Sequence, residues 1–201
     1  MVKHKVGVLA LQGGFASHAA VLASLGCDVS EVRTESELAS CEGLVLPGGE
    51  STVLTRLLMQ PGTGPSFGKP WEPDPLFLAI KEFVRSKPVM GTCAGLIMLA
   101  DNSNDERVVS LGAIPVTVAR NAYGRQTESF IEAIELELPR ARATSASRAA
   151  NDEPFQATFI RAPKITQVGK DVAILARAKD RLGNPYPVMV QFGRILGLTF
   201  H

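Results

Sequence analysis

Short apolar runs alternate with helical patterns through the first half of the chain. The runs are continuous, which is typical of parallel strands that are covered on both faces. Most of them end in a turn containing glycine, and a helical pattern follows. The predicted strands are residues 6–11, 28–32, 43–47 and 88–91, and the predicted helices are residues 15–25, 51–59 and 94–100. This order predicts right-handed βαβ units and an α/β fold with a mostly parallel central sheet.

The second half of the chain is mostly strand-like. Residues 132–137 alternate between apolar and polar with period two, as a half-exposed strand does. Residues 188–198 predict a hairpin that turns near Gly193. Other strand-like segments are residues 114–119, 130–138, 155–160 and 172–178. We therefore expect antiparallel strands in the C-terminal half to extend or flank the parallel sheet.

Two segments interrupt this pattern. Residues 60–75 hold five of the 13 prolines, which excludes a helix or a central strand there. Residues 139–154 are rich in Ala, Arg and Ser and show no apolar periodicity. Both are predicted to be surface loops inserted into a single domain that spans residues 1–201.

Composition narrows the class of protein. A chain of 201 residues that is 45% hydrophobic can bury a core without disulfides or metals. Its 21 basic and 20 acidic residues give a net charge of only +1, which argues against binding to the phosphate backbone of a nucleic acid. Residues 93–100 form the longest notable apolar stretch, and it is too short to cross a membrane. Three widely spaced cysteines favour a reducing compartment, so we expect a cytoplasmic protein.

Residues 91–95, Gly-Thr-Cys-Ala-Gly, carry the main chemical signal. They lie between a predicted strand and a predicted helix, which is the setting of a nucleophile elbow. The turn presents Cys93 at the carboxyl end of the sheet, where open α/β folds bind ligands. We expect the following helix to lower the pKa of the thiol, and the Ala94 N–H to face a developing oxyanion. The alternative is that Cys93 is a small buried apolar residue, but the flanking glycines favour a nucleophile.

Residues 47–51, Pro-Gly-Gly-Glu-Ser, form a second signal of the same kind. They also end a strand and open a helix, so their backbone amides can face a carboxylate or an oxyanion. A Gly-Gly turn capped by Ser51 explains the same residues without a ligand. The pattern alone leaves both interpretations open.

A cysteine nucleophile also requires a base that takes up its proton. The chain has three histidines that could serve as this base. His201 directly follows a predicted strand of the same sheet and is the best candidate. His18 lies on the first helix and is predicted to be a surface residue, while His4 belongs to the basic N-terminus. No Cys/His pair has the spacing of metal ligands, so we expect no metal.

Motifs along the whole chain resemble one known family. They lie at residues 6–13, 46–52, 91–97, 120–126, 129–130, 159–163 and 199–201. They are similar to the glutaminase subunits of pyridoxal 5′-phosphate synthase, which are class I (triad) glutamine amidotransferases. Gly-Thr-Cys-Ala-Gly alone indicates only the superfamily. Arg-Asn-x-x-Gly-Arg-Gln and Phe-Ile-Arg-Ala-Pro make the resemblance specific to this subunit. It implies a three-layer, flavodoxin-like fold with helices on both faces of the sheet.

The resemblance implies that the chain hydrolyses L-glutamine to L-glutamate and ammonia. Cys93 would attack the side-chain amide and form a glutamyl thioester, with His201 as general base and then acid. Gly49 and Ala94 would supply the oxyanion donors. The ammonia would pass to a synthase (lyase) subunit that builds pyridoxal phosphate, and no cofactor is implied for this chain.

The same resemblance implies which residues bind the substrate. The loop residues expected to contact glutamine or form the oxyanion site are Gly49, Glu50 and Ser51. The residues expected to hold its amino-acid end are Arg120, Ile160 and Arg161, and a guanidinium fork suits a carboxylate. Gln12 is expected near the oxyanion loop and the partner surface.

The sequence also departs from this family. The triad of the family closes with a Glu two residues after the His, and this sequence stops at His201, so we expect a truncated C-terminus. Residues 60–75 and 139–154 look like insertions.

Three alternatives stay open. The chain could be the glutaminase of another amidotransferase, which residues 120–126 and 159–163 argue against. It could be a non-catalytic partner subunit, since the Glu is missing. A redox-sensing α/β protein with a reactive Cys93 is the third, but it leaves Arg120 and Arg161 without a role.

Overall fold

Twelve strands are formed by the residues that the computed structural model describes, which are 3–120, 129–137, 154–180 and 182–201. The first six strands are β1 (Lys5–Leu9), β2 (Asp28–Val32), β3 (Gly43–Leu46), β4 (Val89–Thr92), β5 (Ala100–Asn102) and β6 (Ile114–Ala119). The other six are β7 (Phe130–Leu136), β8 (Phe155–Phe159), β9 (Lys164–Val168), β10 (Ala173–Lys179), β11 (Pro185–Phe192) and β12 (Ile195–Leu198).

Five α-helices occur in the same described ranges, with one short 3₁₀ helix at Pro65–Phe67. They are α1 (Phe15–Ser24), α2 (Glu35–Ala39), α3 (Ser51–Leu57), α4 (Pro75–Ser86) and α5 (Ala94–Leu99). None of the described helices has the length and apolar character needed to cross a membrane.

The central sheet has nine strands in the order β2-β1-β3-β4-β12-β11-β10-β7-β8. The first five are parallel to one another, and each later strand pairs antiparallel with its neighbour. The predicted parallel sheet and its antiparallel extension are therefore both confirmed. Because strands β1, β3, β4 and β12 are parallel, their carboxyl ends meet at one edge of the sheet, where ligands bind in open α/β folds.

Most predicted elements are present, with ends shifted by at most three residues. The predicted hairpin is formed by β11 and β12, and Gly193 in its turn adopts φ 56°. Helix α4 is missing from the sequence-based prediction, although its buried residues recur with helical spacing at Leu76, Phe77, Ile80, Phe83 and Val84. Residues 60–75 contain the 3₁₀ helix and the first residue of α4 rather than loop alone. Apart from Pro154, the predicted loop 139–154 lies outside the described residues, as do residues 121–126.

Two cores support the sheet edge that carries the candidate chemistry. Every residue of β3 and of α5 is buried, so the helix that follows the elbow and the strand that it packs on both lie in the interior. A smaller core contains the tilted rings of Phe159 and Phe200, whose centroids are 5.7 Å apart. The second core fixes the segment that follows β12.

Gly95 allows α5 to approach β3 closely. A Cβ at this position would lie 2.0 Å from the carbonyl oxygen of Leu46, a distance that no real contact permits. We therefore expect Gly95→Ala to lower the free energy of unfolding by on the order of 3 kcal/mol, measured by denaturant unfolding. Gly43→Ala is the matched control, because its Cβ would meet only Pro88 O at an ordinary 3.5 Å. Equal midpoints for the two variants would contradict the assignment.

Candidate active site

Cys93 is the only residue between the end of β4 and the start of α5. Its backbone adopts φ 49° and ψ −103°, a strained conformation for a residue with a side chain. The close approach of Gly91 to Gly95 encloses this turn, since a Cβ on Gly91 would lie 2.6 Å from the carbonyl carbon of Gly95. The Cys93 N–H donates to Leu198 O at 2.8 Å, which ties the elbow to β12.

The loop after β3 lies directly beside this turn and is held by the turn after β1. Gly14 N donates to Gly48 O at 2.9 Å, and Glu50 N donates to the Gln12 side-chain oxygen at 2.9 Å. The capping residue of α3 is Glu50, whose carboxylate accepts from the Thr52 N–H. The expected cap, Ser51, is instead the first residue of the helix and is buried. Glu50 takes the capping position because its backbone is still extended, with φ −99° and ψ 110°.

Two backbone N–H groups converge on the Cys93 sulfur. They belong to Ala94 and Gly49, and both lower the pKa of the thiol because they favour its charged form. These are the two donors that the sequence predicts for an oxyanion site. They come from different strand ends, so the site depends on the parallel pairing of β3 with β4.

His201 lies three residues beyond the end of β12, the strand that neighbours β4 in the sheet. Its backbone N–H donates to Thr158 O at 2.8 Å. Its imidazole lies against Gly48, where a Cβ would be 2.2 Å from Cε1 and 2.5 Å from Nδ1. The absence of a side chain at Gly48 is therefore what gives the imidazole room at the edge of the site.

These elements enclose a cavity of about 170 Å³. It is lined by Gln12, Gly49, Glu50, Ser51, Cys93, Ile97, Arg120, Ile160, Arg161 and His201. Nine of the ten predicted site residues thus line one cavity, and the tenth, Ala94, is fully buried beside Cys93. Ile97 also lines the cavity although it was not a predicted site residue, and it lies one helical turn after Cys93.

Charges of both signs lie at one end of the cavity. Arg120 Nη2 donates to Glu50 Oε1 at 2.9 Å, and Arg120 Nη1 donates to Asp105 Oδ2. Arg161 Nη1 is 3.9 Å from the other oxygen of Glu50. The Arg120 side chain is only 11% exposed, whereas that of Arg161 is 45% exposed. Arg161 is therefore the guanidinium with more freedom to meet a ligand.

Two residues near the site escape sequence-based prediction. Asp105 follows β5 in a loop without a recognisable motif, so nothing marks it. His18, expected at the surface, is half-buried, and its Nε2 is 3.2 Å from Thr92 Oγ1. The sequence did offer a signal, because His18 follows the apolar Phe15 by three residues and so lies on the same face of the predicted helix. Both residues are partly buried in the structure.

The thiol and the imidazole are both uncharged at neutral pH. Burial raises the pKa of Cys93 to about 11, and the N–H of Ala94 and the charge of Arg161 offset only part of this effect. The expected lowering of the thiol pKa was therefore wrong, because desolvation outweighs the helix and its donors. Desolvation and the nearby His18 lower the pKa of His201. The thiolate must form by proton transfer to a base during reaction rather than exist beforehand.

No group of three or more His, Cys, Asp and Glu side chains is arranged to hold a metal ion within the described ranges. The chemistry that these residues offer is nucleophilic attack by sulfur, with two N–H donors beside it. An acyl or amide carbon is the kind of centre that this arrangement suits.

Residues 8–201 match the SNO glutamine amidotransferase family. The chain belongs to this family. The predicted class I glutamine amidotransferase fold is confirmed by a solved structure described as a glutamine amidotransferase, which is 35% identical with a TM-score of 0.75. That similarity covers 98% of this chain and 89% of the other.

Curated relatives of this SNO-family chain are named pyridoxal 5′-phosphate synthase subunit PdxT. The relative from Koribacter versatilis is 40% identical over 98% of this chain and 86% of its own length. That from Thermotoga neapolitana is 38% identical over 98% of this chain and 90% of its own length. The resemblance inferred from the motifs is therefore confirmed over nearly the whole chain.

The raised thiol pKa has a direct chemical consequence. Because the thiolate is the reactive form, alkylation of Cys93 by iodoacetamide should keep accelerating as the pH rises from 8 to about 11. Peptide-resolved mass spectrometry measures the rate, with the half-buried Cys27 as an internal reference. A rate that reaches its plateau below pH 8 would show that the thiol pKa is not raised.

Proposed function

We propose that this chain is the glutaminase subunit of a pyridoxal 5′-phosphate (vitamin B6) synthase. It hydrolyses L-glutamine to L-glutamate and ammonia and delivers the ammonia to the synthase (lyase) subunit. One observation carries the proposal: a buried Cys93 shares a small cavity with an imidazole, a carboxylate and two guanidinium groups. The names of the curated relatives support the identity of the synthase.

The chemistry follows from the contacts at the sulfur. As Cys93 attacks the amide carbon, its proton passes to His201, and the N–H groups of Gly49 and Ala94 stabilise the oxyanion. The imidazolium then protonates the leaving ammonia, and a glutamyl thioester remains. Water, activated by His201, attacks the thioester and releases glutamate. Both groups start neutral, so the attack moves the thiol proton to the imidazole and no charge has to be buried beforehand.

The charged end of the cavity suits the zwitterionic end of glutamine. Glu50 is placed to accept from the α-ammonium group, and the more exposed Arg161 is placed to bind the α-carboxylate. Arg120 contributes mainly by holding Glu50, because both of its terminal nitrogens already donate to carboxylates. Ile160, which lines the cavity beside Arg161, shields this end from solvent.

Gln12 and Ser51 support the loop that carries these groups. Gln12 fixes the Glu50 N–H, and Ser51 begins α3 behind it. The turn containing Gln12 is also our candidate for contact with the synthase subunit. Three cysteines without disulfide bonds support a cytoplasmic location.

Glutamate release from L-glutamine in the presence of the pyridoxal phosphate synthase subunit tests this function. Cys93→Ala should lower kcat by about 10³-fold or more, because it removes the nucleophile. Cys27→Ala, a variant of a thiol outside the site, should retain wild-type activity. Release that does not depend on Cys93 would contradict the proposed mechanism. No release from the wild type would favour a non-catalytic partner subunit, and activation only by a different synthase would favour another amidotransferase.

The contact between Gly48 and the imidazole provides a second test. Gly48→Ala should push His201 away from its position, because the new Cβ would lie within 2.5 Å of two ring atoms. A displacement of this size is expected to lower kcat by about 10²-fold. The thermal midpoint should change little, since the ring can move. Gly43→Ala is again the control, and equal kcat values for the two variants would exclude His201 as the base.

A further inference from the structure

We propose that Asp105 is a positioning residue of the glutamine site, which acts by holding Arg120 so that Arg120 fixes the Glu50 carboxylate. The inference rests on the proposed function, since it concerns how that site reads its substrate. Asp105 does not line the cavity and belongs to none of the motifs that mark the family. Its effect on the substrate is transmitted through two side chains.

Arg120 lies between two carboxylates. One terminal nitrogen donates to Asp105, and the other donates to Glu50 at 2.9 Å. The side chains of Arg120 and Asp105 are 11% and 15% exposed. A planar guanidinium that donates in two directions cannot rotate without losing one of these charge-assisted hydrogen bonds. The position of the Glu50 carboxylate is therefore linked to that of Asp105.

Asp105 is itself held in place on its other side. Its Oδ1 accepts from Arg107 N at 3.0 Å and from Arg107 Nε at 2.9 Å, and its Oδ2 accepts from Arg107 Nη2 at 2.7 Å. These hydrogen bonds from Arg107 hold the pKa of the Asp105 carboxyl well below its usual range. Asp105 is consequently a fixed negative charge at every pH at which the reaction would be measured.

The loop that carries Asp105 is anchored by both neighbouring segments. Trp71 Nε1 donates to Glu106 O at 3.1 Å, and the Trp71 ring packs on Gly64, within residues 60–75. On the other side, Val109 N donates at 3.3 Å to the buried hydroxyl of Thr55 on α3. The proline-rich segment thus braces the loop that reaches the site, and α3 connects this loop to the helix that Glu50 caps.

The arrangement keeps the two ligand-binding charges from closing fully on each other. Arg161 Nη1 and Glu50 Oε2 form a long ion pair of 3.9 Å, which would shorten if the carboxylate were free to move. Arg120 engages the other oxygen, Oε1, and keeps the carboxylate in place. Loss of Asp105 would leave the charge of Arg120 balanced by Glu50 instead, the carboxylate that should meet the substrate ammonium. Recognition of the α-amino group should suffer most.

The experiment compares Asp105→Asn with Glu106→Gln in the full chain assayed with its synthase subunit. Glu106 is the matched control, since it is exposed and only its backbone carbonyl takes part in the loop. We measure kcat and KM for L-glutamine, and the inhibition constant of glutaramate, which has the same amide but lacks the α-amino group. Asp105→Asn should raise the KM about tenfold, with kcat and the glutaramate constant changed less than about twofold. Glu106→Gln should leave all three values unchanged.

The ratio of the two constants separates positioning from a damaged fold. A general loss of structure would weaken L-glutamine and glutaramate by the same factor, and that result would overturn the proposal. An unchanged KM for L-glutamine in Asp105→Asn would also overturn it. The wild type is assayed first: Cys93-dependent glutamate release there upholds the proposed function whatever the Asp105 variant does, and its absence is the failure of that function instead.

Discussion

The close approach of α5 to β3 is the constraint on which the site depends. Gly95 lies so near the Leu46 carbonyl that no side chain fits between them, and this contact sets where α5 begins. The start of α5 in turn forces the backbone of Cys93 into a positive φ and aims its sulfur at the carboxyl edge of the sheet. Gly49 follows Leu46 by three residues, and Ala94 begins α5. The contact between Gly95 and Leu46 therefore also brings the N–H groups of Gly49 and Ala94 to the same sulfur.

Much of this arrangement could be predicted from the sequence, because residues that are close together in the chain determine it. Glycines at 91 and 95 around a cysteine, between an apolar run and a helix, specify the elbow, and the apolar runs specify a parallel sheet that gathers strand ends at one edge. Asp105 could not be predicted, since it meets Arg120 only through tertiary packing of a loop. The pKa of Cys93 was predicted in the wrong direction for a similar reason: a local pattern shows the helix and its donors but not the depth of burial.

The polar part of the site is organised in two layers with different degrees of freedom. Glu50 and Arg161 are partly exposed in the cavity, whereas Arg120, which also lines it, and Asp105, which lies behind Arg120, are mostly buried. The fixed charges of Arg120 and Asp105 hold the Glu50 carboxylate in place without a ligand, which limits the reorganisation needed on binding. Residues 60–75 take part in this support through Trp71, so a segment that first looks like a surface addition contributes to the order of the site.

Strand β12 lies between β4 and β11, in the middle of the sheet, and the chain reaches His201 three residues beyond it. It follows Cys93 by about a hundred residues in the sequence, yet Leu198 accepts the hydrogen bond of the Cys93 N–H. Without β12, the elbow loses this partner and the sheet lacks the strand that joins its parallel and antiparallel parts. The proposed hydrolysis thus requires that both parts of the sheet have been joined, and catalytic activity would report that folding is complete.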